Sequence, residues 1–252
     1  MFDLIDECGK DLKRAGYKVE TLYSGALSHA MLNIKSQKES EHFSLDKGEY
    51  HIFTLPNLYD DEFYYGRILE DKLGKVIKSL CKKQNINRGD NVLIVGLGNA
   101  DVECDRLGKE VFDRVNIAPK GRKGKIYKFC PNIFFLTGIN AIDLTKMLVD
   151  KFDINLVILI DSLTTNNLTR LGTSFQVTTS GLTPGSGVHR FGKKISREEI
   201  SSKIISIGVP FMINSSSFAG EKDDILLCPK DISSSIALAG EIIAGAINEV
   251  LK

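Results

Sequence analysis

The chain is poor in the residues that usually announce a metal site, a disulfide scaffold or a membrane anchor. Its five cysteines (Cys8, Cys81, Cys104, Cys130 and Cys228) are scattered, odd in number and contain no Cys-x-x-Cys pair. That pattern argues against a disulfide framework and against a structural zinc site. The four histidines (His29, His42, His51 and His189) are equally dispersed, so spacing yields no metal constellation. Neither sign of charge prevails: 33 Lys and Arg stand against 32 Asp and Glu, a formal net charge of +1. No global field therefore points to nucleic acid or to a membrane surface. No apolar run approaches the roughly 20 residues that cross a bilayer. Repeats and low-complexity tracts are missing too. The opening "MFDLIDECGKDLKRAG" carries acids within six residues and lacks a long apolar core, which does not fit a secretory signal. These absences lead us to expect a cytoplasmic protein that uses neither metal nor cofactor.

What is present is an ordinary globular composition, 42% apolar and 26% charged over 252 residues, long enough for a substantial core. Residues 1–48 are polar and weakly patterned; 49–252 read as one α/β domain. "YHIFTL" alternates as a strand. "DEFYYGRILEDKLGKVIKSLCKK" carries Ile68, Leu69, Leu73, Val76, Ile77 and Leu80 at helical spacing, acids first and lysines last. "NVLIVGLG" predicts a strand, "DRLGKEVFDRV" a helix, "NIFFLTG" a strand and "NAIDLTKMLVDKF" a helix. "INLVILID" is the most apolar strand. "TSFQVTT" follows as a strand, "ISREEISSKI" as a helix, "IISIGVPFMI" as a strand and "SSSIALAGEIIAGAINEVL" as a final helix. Continuous apolar strands alternating with helices imply an α/β fold with a mostly parallel sheet covered on both faces. Chemistry then belongs at the carboxyl ends of the strands.

Two aspartates occupy such ends. Asp161 closes "INLVILID", and Asp105 lies just past "NVLIVGLG", at the start of the next helix. Each has a plain structural explanation as a turn or first-turn acid. The competing reading of "GLGN" as a dinucleotide loop is weak. A Rossmann fingerprint needs a third glycine, where Ala100, Asp101 and Val102 stand. Asp101, Glu103 and Asp105 would also put negative charge where a pyrophosphate belongs, and there is no Walker lysine–serine pair. "SGLTPGSGVHR" (Ser180–Arg190) is a sharply turning loop of the kind found beside functional sites. The basic run Lys120–Lys125 reads as a solvated connector.

Lined up, "VGLGNADVECDRLG", "LTGINAIDL", "NLVILIDSLTTNNLTRLGTSFQVTTSGLTPGSGVHR", "IGVPFMI" and "CPKDISSSIALAGEIIAGAIN" resemble the germination protease family of spore-forming bacteria, in family order. The resemblance implies a three-layer α/β/α sandwich similar to that of hydrogenase maturation proteases. It also implies an atypical aspartic endopeptidase whose catalytic pair falls on Asp105 and Asp161. Implied with it are protein or peptide substrates, the small acid-soluble proteins that coat spore DNA among them, a homotetramer, and a zymogen that loses an N-terminal segment. Membrane and nucleic acid are not expected partners. Two close carboxylates share a proton, so one can activate water while the other polarises the scissile carbonyl. Gly98, Asn99, Gly181, Pro184, Gly185, Ser186 and Gly187 are the candidate substrate-binding residues, the glycine loop turning the chain toward the pair and "GLTPGSGV" walling the cleft.

The chain departs from the family pattern at several positions. Cys104 stands where the family carries proline, Arg106 where it carries alanine, and Ser162 where a small residue follows the second aspartate. The segment before the last helix is short, and the arginine-led N-terminal motif is not recognisable. An Arg106 aimed into the site would hold a carboxylate ionised. The rival readings are a non-catalytic peptide-binding descendant of the same fold, and a metal-dependent maturation-type protease using His189 and Cys104.

Overall fold

The computed structural model describes residues 18–22 (backbone only), 26–43, 45–184, 193–214 (residue 214 by its backbone) and 226–252. In chain order the elements are β1 (Lys18–Leu22), β2 (Leu27–Ile34), α1 (Gln37–Phe43), β3 (Gly48–Thr54), α2 (Glu62–Lys83), β4 (Val92–Gly96), α3 (Leu107–Arg114), β5 (Ile126–Phe129), α4 (Phe134–Thr137), α5 (Ala141–Phe152), β6 (Leu156–Thr165), β7 (Ser174–Thr178), β8 (Lys203–Asn214), β9 (Leu226–Leu227) and α6 (Ile232–Val250). Helix α2 starts where Asp61 accepts from the Tyr64 N–H at 3.0 Å, with Glu62 in the first turn and Lys82 and Lys83 in the last. Both ends thus suit the helix dipole. Its buried stripe Leu69, Leu73, Ile77, Leu80 is the one its spacing predicts.

The strands form one sheet in the order β1-β2-β3-β7-β8-β6-β4-β5, with β9 added to β8. Strands β5, β4, β6 and β8 are parallel, whereas β8–β7, β7–β3, β3–β2 and β2–β1 pair antiparallel. The class is α/β, and the sheet is mixed, with β8 as the strand where direction reverses. Along β6, Leu156, Ile158 and Ile160 enter one core with α2, α3 and α6, while Val157 and Leu159 enter another with Ile142 and Val149 of α5. Helices therefore cover both faces, giving three layers. A third cluster packs Phe43 of α1 against Ala30, Leu32, Ile34, Tyr50 and Ile52.

Three sequence expectations need correction. "NIFFLTG" is not a strand: its centre is the single-turn helix α4, ended by Gly138 at φ 70°, and the strand beside β4 is the preceding "IYKF". A short apolar run does not by itself separate strand from helix, and here Asn132 reverses the chain at φ 62°. "ISREEISSKI" makes one turn, with Glu199 and Ile200 both donating to the Ser196 carbonyl, before β8 takes over at Lys203. The weakly patterned residues 18–43 supply β1, β2 and α1, which extend the sheet.

Candidate active site

Strand β4 ends where the site begins. Gly96 pairs with Ile160, and the next amide, Leu97 N–H, donates to the Ile160 carbonyl at 2.8 Å. The chain thus leaves the sheet beside the residue that precedes Asp161. Gly98 then adopts φ 93°, a conformation that side-chain-bearing residues rarely take. The Asn99 N–H donates to Asp105 Oδ2 at 2.8 Å, and Asn99 Oδ1, itself buried, accepts from the Asp101 N–H at 3.0 Å. The Asp105 N–H returns to the Val102 carbonyl at 2.9 Å. Residues Glu103–Asp105 close as a 3-10 turn that packs against β6, β8 and α6. The loop is folded around the Asp105 carboxylate, and no phosphate is needed to explain it.

The glycines serve that approach. A Cβ on Gly98 would stand 2.1 Å from the Asp105 carbonyl oxygen; on Gly96, 2.3 Å from the Gly108 oxygen; on Gly108, 2.3 Å from the Leu97 oxygen. The first turn of α3 is pressed directly on the end of β4.

Asp161 lies inside β6, 5% exposed, with Oδ1 accepting from the Ser162 N–H at 3.0 Å. Strand alternation sets it on the face of Val157 and Leu159. Across the sheet its row continues through Gly208 of β8 to Gln176 of β7. One row lower on this face, Thr178 Oγ1 meets Ser180 Oγ at 3.0 Å, and Ser206 Oγ donates to the Ser180 carbonyl at 2.8 Å. This buried polar lane leads to Gly181, where the loop leaves β7. Leu182 and Ile195 exchange backbone bonds of 3.0 and 2.8 Å. Both join the apolar cluster that contains Leu97 and Leu159, so the segment lies over the Asp161 face. A Cβ on Gly181 would be 1.8 Å from the Ile195 oxygen, which explains the glycine. Pro184 is the last described residue of this loop. Gly185, Ser186 and Gly187, like His189, lie outside the described residues.

Arg106 is directed elsewhere. Its guanidinium reaches Glu103 at 3.2 Å and Glu110 at 2.9 Å. Cys104, half buried, has its thiol pushed up by burial and then by Cys228 and Asp105. Glu103 is held below its ordinary range, chiefly by a hydrogen bond with Ser233 at the start of α6. Among the described residues, no group of three or more His, Cys, Asp or Glu side chains could hold a metal ion. Nor is any helix among them long and apolar enough to cross a membrane.

Sequence reading missed two clusters. His29 Nε2 and His51 Nδ1 meet at 3.0 Å, and His51 Nε2 meets Glu49 Oε1 at 3.0 Å; Lys83 donates to Glu49 at 2.6 and 2.8 Å. If His51 Nε2 carries the proton shared with Glu49, its Nδ1 accepts and His29 Nε2 donates, so both rings are neutral. The relay runs from β2 through β3 to the end of α2. The second is the pair Cys104, in the 3-10 turn that packs on β8 and α6, and Cys228, which directly follows β9 on β8. Both join residues distant in sequence, and only the pairing of β2 with β3, or of β9 with β8, brings them together.

The α/β sheet with helices on both faces thus sets a turn bearing one aspartate against the strand bearing another. The family model described as germination protease matches residues 10–228, and the chain belongs to the germination protease family. The germination protease of Caldanaerobacter subterraneus subsp. tengcongensis is 28% identical over 191 residues, covering 71% of this chain and 58% of that one. The germination protease of Clostridium acetobutylicum is 25% identical over 226 residues, covering 84% and 68%. That of Clostridium perfringens strain SM101 is 27% identical over 215 residues, covering 81% and 64%. The chain thus spans about three fifths to two thirds of the length of these relatives. A [NiFe] hydrogenase maturation protease from Thermococcus kodakarensis is similar at a TM-score of 0.41 and 18% identity, covering 64% of this chain and 92% of that structure.

Proposed function

We propose that the protein is an endopeptidase that hydrolyses peptide bonds with the carboxyl pair Asp105 and Asp161. The observation that carries this reading is the loop folded around Asp105 and packed on the strand that holds buried Asp161. Family membership supplies the reaction class. In the reaction, one carboxylate takes a proton from water as it attacks the scissile carbonyl. The other carboxyl, protonated, donates to the carbonyl oxygen and then to the leaving nitrogen. Such a pair titrates as a unit, so acid and base are roles rather than residues. The Asn99 N–H fixes one carboxylate oxygen of Asp105. Ser162 Oγ is buried without a hydrogen-bond partner among the described residues. A buried hydroxyl left so costs ~1–3 kcal/mol; by strand alternation it faces the opposite side of β6 from the Asp161 carboxylate.

The substrates in this reading are small proteins presented in extended form, with small acid-soluble spore proteins the class that kinship suggests. The Gly181–Pro184 segment lies over the Asp161 face as one wall of the cleft. The ion pairs of Arg106 with Glu103 and Glu110 favour the catalytic reading over a non-catalytic descendant, since they draw the cation away from proton sharing. The test is cleavage of such a protein, and of a mixed peptide pool, by wild type, Asp105→Asn and Asp161→Asn, with folding checked by circular dichroism. Cleavage lost in both folded variants is the expected result. Full activity in either one overturns the pair.

A further inference from the structure

We infer that the two loops preceding β4 and β5 form a binding surface for the phosphate backbone of double-stranded nucleic acid. They are laced together. The Lys123 and Gly124 N–H groups both donate to the Arg88 carbonyl, at 3.2 and 2.9 Å, and Arg122 Nη2 donates to the Asp90 carbonyl at 2.6 Å. The Lys125 N–H donates to Asn91 Oδ1 at 3.0 Å. A Cβ on Gly124 would stand 2.1 Å from the Asp90 carbonyl oxygen, so a glycine there lets the loops close on each other. The lacing sets Arg88 beside the run Lys120–Lys125, which on its own is only a connector. Both loops lie at the amino ends of their strands. The Gly98–Asp105 turn follows the carboxyl end of β4, roughly 16 Å away along its five residues.

Charge on this surface is uncompensated. On the helices, surface cations stand beside acids: Lys75 pairs with Asp71, Lys109 with Asp113, Arg114 with Glu110 and Lys252 with Glu249. Arg88, Lys120, Arg122, Lys123 and Lys125 form no ion pair among the described residues. All but the half-buried Arg122 are exposed. The acids nearby are Asp90, which accepts from the Asn87 N–H at 2.7 Å, and Asp153, whose carbonyl meets Asn91. No acid lies between Val115 and Lys125. A net charge of +1 over the whole chain thus hides a local excess that repels itself and attracts anions.

The chemistry of the surface selects the polyanion. Its cations are long, solvated Lys and Arg side chains, which meet phosphates without reading sequence. Between them, Gly89 and Gly121 have nothing within 4 Å of where a Cβ would stand, so the surface is open to a broad rod. Neither loop carries an aromatic residue, which removes the stacking that holds single strands. An acidic protein partner would seek aromatic or apolar anchors, and Ile117 is the single exposed large apolar side chain of the two loops. Duplex phosphates ask only for the cations. This binding goes beyond the peptidase reading and stands without it.

The experiment follows the fluorescence anisotropy of a labelled mixed-sequence DNA duplex titrated with the full chain over a range of salt. About four phosphate contacts give a slope of log K against log salt of about −4, a loss of about 10²-fold between ~50 and ~200 mM salt. Arg88→Gln, Lys123→Gln and Lys125→Gln combined should bind about tenfold more weakly or worse and flatten the slope by about 3. Arg122 is kept because it holds the Asp90 carbonyl. Each single substitution should flatten the slope by about 0.9, so the reading survives a triple variant that folds poorly. Lys38→Gln, Lys75→Gln and Lys146→Gln combined remove the same charge from α1, α2 and α5 and should bind as wild type does. No binding at low salt, or equal weakening by the two triple variants, overturns the surface. Tighter binding of single-stranded DNA, of polyglutamate or of phosphatidylglycerol vesicles than of the duplex overturns the choice of partner.

Discussion

The Asn99 N–H donates to Asp105 Oδ2 across a turn whose pivot, Gly98, has φ 93° and only 2.1 Å between its would-be Cβ and the Asp105 carbonyl oxygen. Gly98→Ala must therefore move either the turn or the carboxylate. Positive φ in a residue with a side chain costs about 1–3 kcal/mol. We expect a lower melting temperature and a loss of kcat of about 10²-fold, the cost of ~1 Å misplacement. Retained kcat in a destabilised protein would show that the turn is a packing device without a part in the chemistry.

Arg106 offers the opposite test. Because its guanidinium rests on Glu103 and Glu110 at partly exposed positions, Arg106→Ala should cost ~0–1 kcal/mol of stability. The pH–rate profile of cleavage should keep its shape. A shift of either limb would place the cation in contact with the pair after all.

The histidine relay sets a pH dependence of stability. Burial, with His51 and Lys72 adding to it, lowers His29 to about 4, and burial also lowers His51 despite Glu49. Between about 6.5, the unfolded value, and 4, the unfolded chain binds protons that the folded one refuses. Stability is thus complete above about 6.5 and falls as pH drops through that window, by up to about 3 kcal/mol from His29. Urea unfolding of wild type at pH 7 and pH 4.5 measures the loss. His29→Phe, which preserves a ring stacked on Phe53, should flatten the dependence while weakening the protein slightly at pH 7. An equal slope in both would remove His29 from the account.

Helix α4 follows the carboxyl end of β5, beside β4, and exposes Phe134, Phe135 and Leu136, the last two at 64% and 59%. Both α4 and the Gly98–Asp105 loop follow the carboxyl ends of neighbouring parallel strands, so a substrate held by the proposed pair would meet these side chains through an apolar residue. Phe135→Ala should raise KM several-fold with little change in kcat or melting temperature, since an exposed side chain supports no core. A fall in kcat alone would contradict a binding role.

Long, strongly periodic segments were legible in the sequence: α2, α5, α6, β4, β6 and β8 lie where spacing puts them. So was the position of Asp105 just past the end of β4, whereas Asp161 does not close its strand: it lies inside β6, which runs on to Thr165. The antiparallel half was not, for a physical reason. His29 and His51 are 9% and 7% exposed, yet polar residues buried in strands blur the alternation that marks a half-buried strand. They are tolerated because they satisfy one another, which one strand's sequence cannot disclose. Strand β5 was overlooked because two of its four residues are lysine and tyrosine, polar-tipped side chains whose stems can nevertheless cover the core. Lys128, for example, donates to the Phe112 and Val115 carbonyls.

The contacts of Gly96, Gly98 and Gly108 bear on how such loops are compared across proteins. A glycine reports that something stands too near for a methyl group; it does not say what. In a dinucleotide fold the near neighbour is a pyrophosphate, and here it is the protein's own backbone, folded in to set a carboxylate. The same spacing can therefore arise independently in ligand sites and in self-packed turns. The side chains between the glycines, acidic in this case, tell the two apart.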